Sequence, residues 1–269
     1  MNLKNLLSGI LFLCSFALVY YLYADIQKVI ETRSLIESSE GRVIERLKLI
    51  REAESLYQEQ FGKYTSSWDT LVNFISNAKV PIIQRREIIK QKSYGGEEVT
   101  VVTDTLGFDT AFDRIFKKHY SMSASESGTF EGFKVKVGDR VIKNQKPYVI
   151  NIDGKKTLPP LLEKGTVDSL ADVKIGQTVT KGQLMISYSD YIFDPKLDLS
   201  KLGEIPDSGG AKFDIFVGKI DKNGVMIDVI EVVDSHPINP QRNENNELKT
   251  RKPLRFGSRL DVSTTGNWE

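Results

Sequence analysis

Two histidines, His119 and His236, and one cysteine, Cys14, are the only imidazole and thiol groups in a sequence of 269 residues. The two histidines stand in unrelated local patterns, and a lone histidine serves more often as a surface or capping residue than as a base or ligand. Cys14 lies inside an apolar run, so the rest of the chain has no thiol. That excludes a disulfide framework and cysteine-based zinc sites, and it suits an oxidising compartment. No Gly-x-Ser-x-Gly elbow, phosphate loop or His-Glu-x-x-His helix occurs. Asp221-Lys222-Asn223-Gly224 lacks the further carboxylates of a calcium loop. Acidic residues are plentiful, but no spacing singles out a catalytic pair. Basic residues are not interleaved with aromatics, and the formal net charge is +1, so nothing points to nucleic acid. The expectation is a protein that is not an enzyme, with no catalytic residues, no cofactor and no metal.

The informative element is instead an anchor. Leu6–Tyr23 is a run of about 18 residues without a charge, and as a helix it spans ~27 Å, close to the thickness of a bilayer's hydrocarbon core. Tyr20, Tyr21 and Tyr23 cluster at its end like an interfacial aromatic belt. A cleaved signal peptide needs small residues before the cut, whereas Leu22-Tyr23-Ala24 presents a large one. The chain is therefore expected to span a membrane once, with the lipid bilayer as its first partner. Lys4 precedes the span while Lys28, Arg33 and Arg42 follow it, so the positive-inside rule does not choose an orientation. Long C-terminal domains translocate largely regardless of charge, which favours an inner-membrane protein with a periplasmic C-terminal domain.

From Asp25 to Phe61 the chain has no proline and one glycine, Gly41. Val43, Leu47, Ile50, Tyr57 and Phe61 recur at helical spacing, with Ala53 at the missing step. Lys48 with Glu52 and Arg51 with Glu54 set opposite charges one turn apart. Ser38-Ser39-Glu40-Gly41 predicts a bend or break. Two readings of the stripe stand. It packs on the chain's own domain, or Val43, Leu47, Ile50 and Tyr57 bind other subunits, as envelope partners or in self-association.

Next, Gly62 suits a left-handed helix cap, and Ser66 with Asp69 predicts a capped second helix whose apolar face is Trp68, Leu71, Val72 and Ile75. Ile50-Arg51-Glu52-Ala53-Glu54-Ser55-Leu56-Tyr57, Gly62-Lys63-Tyr64 and Trp68-Asp69-Thr70-Leu71 together resemble type IV pilins and secretion pseudopilins. The resemblance covers about 75 residues. It implies a membrane helix, an amphipathic continuation, a turn and a short second helix in an envelope assembly. The chain departs from those proteins in lacking a prepilin-type cleavage site with a glutamate inside the apolar helix. Asp104-Thr105-Leu106-Gly107 and the stretch from Gly257 to Trp268 also resemble an uncharacterised family of single-span bacterial envelope proteins, which implies no activity.

The remainder reads as β structure. Ile82–Lys90 and Val99–Thr103 predict strands joined across Ser93-Tyr94-Gly95-Gly96, and Phe112, Ile115 and Phe116 a short helical turn. An internal repeat follows. Gly128-Thr129-Phe130 leads to Val135-Lys136-Val137-Gly138-Asp139-Arg140-Val141, and Gly165-Thr166-Val167 leads to Val173-Lys174-Ile175-Gly176-Gln177-Thr178-Val179. Each copy reads as a hairpin about its glycine turn. The spacing resembles the two halves of a biotinyl/lipoyl-like barrel-sandwich, also found in membrane-fusion adaptors. No Met-Lys-Met turn lies between the copies, where Asp153-Gly154-Lys155-Lys156 stands instead. Ser189–Gly210 reads as a connector, Phe213–Ile220 and Val225–Val233 as a hairpin, Gln241–Lys252 as an exposed loop, and Leu254–Val262 as a last strand.

The expected class is α+β, an N-terminal transmembrane helix continuing into a long amphipathic helix and then a mainly antiparallel β domain. The divisions are an anchor over 1–24, a stalk over 25–61, a helix plus hairpin over 62–120, repeated hairpins over 121–190 and a hairpin region over 191–269. The function expected is a membrane-anchored structural or assembly component of a bacterial envelope machine. The alternatives are a membrane-fusion-like periplasmic adaptor, a ligand-binding module and, last, a divergent hydrolase.

Overall fold

A computed structural model describes residues 3–92, 96–239 and 253–269, with the backbone alone at 3–10, 84–92, 96–104 and 106. The class is α+β, as the patterning requires. Helix α1 (Leu3–Phe61) is one element of 59 residues. The break foreseen at Ser38–Gly41 does not occur. An internal glycine costs a helix only about 1 kcal/mol, and the residues flanking Gly41 are tied down. Ser38 Oγ donates to the Leu35 carbonyl at 3.0 Å, Ser39 Oγ donates to Asp207 Oδ2 at 3.1 Å, and Arg42 Nε donates to the same oxygen at 2.8 Å.

The helix has two regimes along its length. Leu11 to Tyr23 expose every large apolar side chain, and this helix is long and apolar enough to cross a membrane. From Val43 to Tyr57 the stripe is buried, with Leu47, Ile50 and Ala53 fully so, and only its last member, Phe61, is exposed. The helix stops where expected. Gly62 takes a φ of 71° and its N–H donates to the Gln58 carbonyl at 2.8 Å. Helix α2 (Trp68–Asn77) begins one residue later than a Ser66 cap would place it, because the Ser67 N–H first closes a turn on Thr65 Oγ1 at 3.2 Å. Leu71, Phe74 and Ile75 form its buried face.

The chain divides into two compact units. One comprises Ser55–Gly62 and Asp69–Leu199. Its first feature is an antiparallel ribbon of β1 (Lys79–Lys92) and β2 (Gly96–Thr110), longer than the sequence pattern marks. The foreseen turn at Ser93-Tyr94-Gly95 lies outside the described residues. Helix α3 (Ala111–Phe116) follows as expected, capped by Thr110, whose Oγ1 accepts from the Asp113 N–H at 3.0 Å. Eight strands come next, β3 (Lys117–Ser123), β4 (Gly128–Phe133), β5 (Arg140–Val141), β6 (Tyr148–Ile152), β7 (Lys155–Thr157), β8 (Gly165–Leu170), β9 (Thr178–Val179) and β10 (Leu184–Tyr191). They form two antiparallel sheets, ordered β3-β10-β8-β5 and β7-β6-β4-β9, over a core that includes Phe130, Tyr148, Ile150, Val167, Met185 and Tyr188.

The sequence repeat is a structural repeat, but its copies are not self-contained hairpins. Strands β4 and β5 do not pair with each other, nor do β8 and β9. Instead β5 pairs with β8 (Val141↔Gly165) and β9 pairs with β4 (Gly128↔Val179). The turns show why. Gly138 and Gly176 take φ values of 88° and 89°. The Lys136 N–H donates to Asp139 Oδ2 at 2.8 Å, and the Lys174 N–H to Gln177 Oε1 at 3.1 Å. Each closed turn then bonds to the other copy. The Gly138 N–H reaches the Val167 carbonyl and the Gly176 N–H reaches the Phe130 carbonyl, both at 2.8 Å. Val141 and Val179, the equivalent side chains beyond the turns, are both fully buried.

The other unit comprises Met1–Glu54, Lys63–Trp68 and Ser200–Glu269. Strands β11 (Asp214–Lys222) and β12 (Val225–Val233) form the expected hairpin, turning through Asn223 and Gly224 with φ of 57° and 83°, the signature of a type I′ turn. Strand β13 (Arg255–Gly257) adds to β12. It is shorter than Leu254–Val262 because the Ser258 N–H bonds back to the Ile230 carbonyl and the Gly257 N–H to the Thr265 carbonyl, which turns the chain away. The expected loop at Gln241–Lys252 lies outside the described residues.

Candidate functional site

The residues proposed to bind partners face inward. Val43 is 3% exposed, Leu47 and Ile50 are fully buried, and Tyr57 is 9% exposed with its ring against Phe61 and Phe74 at 4.6 and 5.2 Å. Burial within the chain is what the self-packing reading of the stripe expects, while Tyr57 also lines an open groove beside the exposed Phe61. Burying apolar area against the chain itself recovers ~25 cal/mol per Å², which an exposed stripe would forgo.

Arg51 and Glu54 do not pair. Arg51 turns outward to Glu269 Oε1 at 2.6 Å, whereas Glu54 is 1% exposed. Glu54 Oε2 accepts from the Thr65 N–H at 3.0 Å, and Oε1 is buried with no partner. Burial pushes this carboxyl up to about 8, against the opposing pull of the Thr65 bond. Tyr64 is raised as well, by burial first and then by Glu54 and Asp228.

The histidines occupy different settings. His119 is half-exposed, with Nε2 at 3.9 Å from Asp109 Oδ2 and Nδ1 at 4.0 Å from Asp168 Oδ2, both beyond hydrogen-bond length. His236 lines a cavity of about 130 Å³ together with Val43, Ile205, Asp207, Asp234 and Leu254. The end of β12 positions Asp234. Its N–H donates to the Leu254 carbonyl at 2.8 Å, and its Oδ1 accepts from the His236 backbone N–H at 2.9 Å. The side chain is 2% exposed, and burial pushes its carboxyl up. Asp207 stands opposite in character. It adopts a φ of 61° and carries Arg42 and Ser39, and the Arg42 bond holds its carboxyl below the usual range.

Asp234, Ser235 and His236 stand together but are not ordered as an acid–histidine–serine relay, because Asp234 does not reach the imidazole. The carboxylate engages the backbone of His236 rather than its ring, and Ser235 Oγ lies 2.9 Å from both the Lys212 carbonyl and His236 Nδ1. Among the described residues no three histidine, cysteine or acidic side chains converge as metal ligands. Sequence reasoning missed this cavity because it joins residues from 39 to 254, and no local pattern marks Asp207 or Asp234. No family model and no curated protein matches the chain.

Proposed function

We propose that this protein is a membrane-anchored structural or assembly component of a bacterial envelope machine, held by its N-terminal helix in the inner membrane with its folded units in the periplasm. One observation carries the reading. A single helix passes without interruption from an exposed apolar run at Leu11–Tyr23 to a buried stripe beginning at Val43. Exposed apolar side chains on that scale call for lipid, and the buried end roots the anchor in folded protein. The resemblance to pilins and pseudopilins over the same segment agrees with an assembly role.

The membrane-fusion-like adaptor is a second reading, and the exchange of β5 and β9 between two four-stranded sheets favours it. Cell fractionation with alkaline extraction tests the anchor. The protein is expected to stay with the membrane pellet and to need detergent for release. Recovery of a shortened chain from the soluble fraction would refute the proposal. Cross-linking in cells then separates the versions, with filaments favouring the pilin-like one and a discrete transporter complex the adaptor.

A further inference from the structure

We propose that His119 is a pH-dependent latch, which as an imidazolium ties the base of the β1–β2 ribbon and strand β3 to the repeat module and as a neutral ring releases them. The internal repeat reveals the device, because it contains a second version of the same site. In each copy one carboxylate occupies a β-bulge. Glu131 is passed over where β4 pairs with β6, between Phe130↔Ile150 and Gly132↔Val149, and Asp168 is passed over where β8 pairs with β10, between Val167↔Tyr188 and Ser169↔Ser187. Each carboxylate accepts from the strand opposite, Glu131 Oε1 from Asn151 Nδ2 at 3.1 Å and Asp168 Oδ1 from Ser189 Oγ at 2.9 Å. Asn151 and Ser189 in turn stand opposite Lys156 of β7 and His119 of β3. His119 therefore occupies in one copy the place that Lys156 occupies in the other. Lys156 Nζ lies 2.8 Å from Glu131 Oε2, and that bond holds the Glu131 carboxyl below its usual range.

A lysine keeps its charge across the physiological pH range, whereas a histidine does not. The two ring nitrogens of His119 face different carboxylates, Nδ1 toward Asp168 Oδ2 at 4.0 Å and Nε2 toward Asp109 Oδ2 of β2 at 3.9 Å. A neutral imidazole has one N–H and one lone pair, so it must turn the lone pair toward one of the two anions. An imidazolium presents an N–H to both. The other charges around the ring do not reverse this preference. Asp113 of α3 adds a third carboxylate within electrostatic reach of His119 and holds Lys117 at 2.7 Å. Asp190 of β10 is shared by Arg140 and Lys164 at 3.5 and 3.6 Å. Lys118 lies over the Tyr120 ring, and Lys79 of β1 stands opposite Thr110. Up the ribbon the next acidic residue, Asp104, is five residues beyond Asp109 on β2, roughly 16 Å along an extended strand. The inference is independent of whether the protein is an assembly component or an adaptor.

The test is hydrogen exchange followed by mass spectrometry on the full-length protein in detergent, with protection corrected for the intrinsic effect of pH. Exchange is compared at about pH 5.5 and about pH 8, both above the ordinary carboxylate range and on either side of the ordinary imidazole value. The readout is the protection of β3 relative to β7, which cancels changes in overall stability such as the one that Glu54 makes in the same interval. In the native chain this ratio should fall by about threefold or more from the lower pH to the higher. His119→Lys should keep the high ratio at both, and His119→Gln should show the low ratio at both. Asp168→Asn should weaken the fall. A native ratio that does not change with pH, or a fall that persists undiminished in folded His119→Gln, overturns the proposal. Should the variants fail to fold, the comparison of β3 with β7 in the native protein decides alone.

Discussion

Glu54 reaches the backbone N–H of Thr65 at 3.0 Å across the Gly62 turn, and among the described residues this bond is the sole partner of a carboxyl that is 1% exposed. The turn is thereby fastened to the helix that precedes it. The fastening carries a penalty that depends on pH. Below the carboxyl's ordinary value of 4.5 the group is protonated whether the chain is folded or not. Between 4.5 and about 8 the folded state must keep a proton that the unfolded chain releases, so stability falls as pH rises through that window, and above it the loss is complete. Glu54→Gln keeps the shape without the proton. It is expected to be more stable than the native chain at pH 8, by up to a few kcal/mol at ~1.4 kcal/mol per pH unit crossed, and no more stable at pH 4. Denaturant titrations at the two pH values check this.

The repeat makes a paired prediction. Gly138 and Gly176 have open space where a Cβ would stand, so an alanine at either meets only the backbone strain of positive φ. Gly138→Ala and Gly176→Ala should each cost about 1–2 kcal/mol, and the two losses should match. Asn144, at a φ of 66°, is the mirror test, and Asn144→Gly should be neutral or slightly stabilising. Chemical denaturation of the three single variants measures all of this.

Gly203 tests packing instead of backbone. A Cβ there would stand 2.6 Å from Cδ2 of Trp68, so the rigid indole must shift to admit it. Gly203→Ala should destabilise by about 1–3 kcal/mol and shift the tryptophan fluorescence toward the red as the indole is displaced.

The stripe is tested by charge. Leu47→Glu and Ile50→Glu each put a carboxylate at a fully buried position, and each should cost at least ~3 kcal/mol. Loss of the folded signal in circular dichroism is the expected result. A variant that stays folded but loses a partner in cross-linking would return these residues to an intermolecular role.

How far the sequence disclosed this fold depends on the range of the interaction. The Gly62 cap, the Asn223-Gly224 turn and the repeated glycine turns rest on local backbone conformation, so residue type alone marks them. Ser39 and Arg42, on either side of Gly41, are held by Asp207, about 165 residues away, a partner that the local Ser-Ser-Glu-Gly pattern does not show. The inward turn of Glu54 was hidden for the same reason, since an acid one turn from Arg51 looks like half of a surface pair. The cavity was illegible because Val43, Asp207 and Asp234 share no stretch of chain. Strand exchange was the subtlest case, because a short strand's own residues do not record which neighbour it will choose.

That exchange has a consequence for how the module can be made and taken apart. Neither half owns a complete sheet, so a fragment ending before Gly165 would present one sheet lacking β9 and another lacking its centre. Halves produced as separate peptides would be unfolded alone and would recover structure only on mixing.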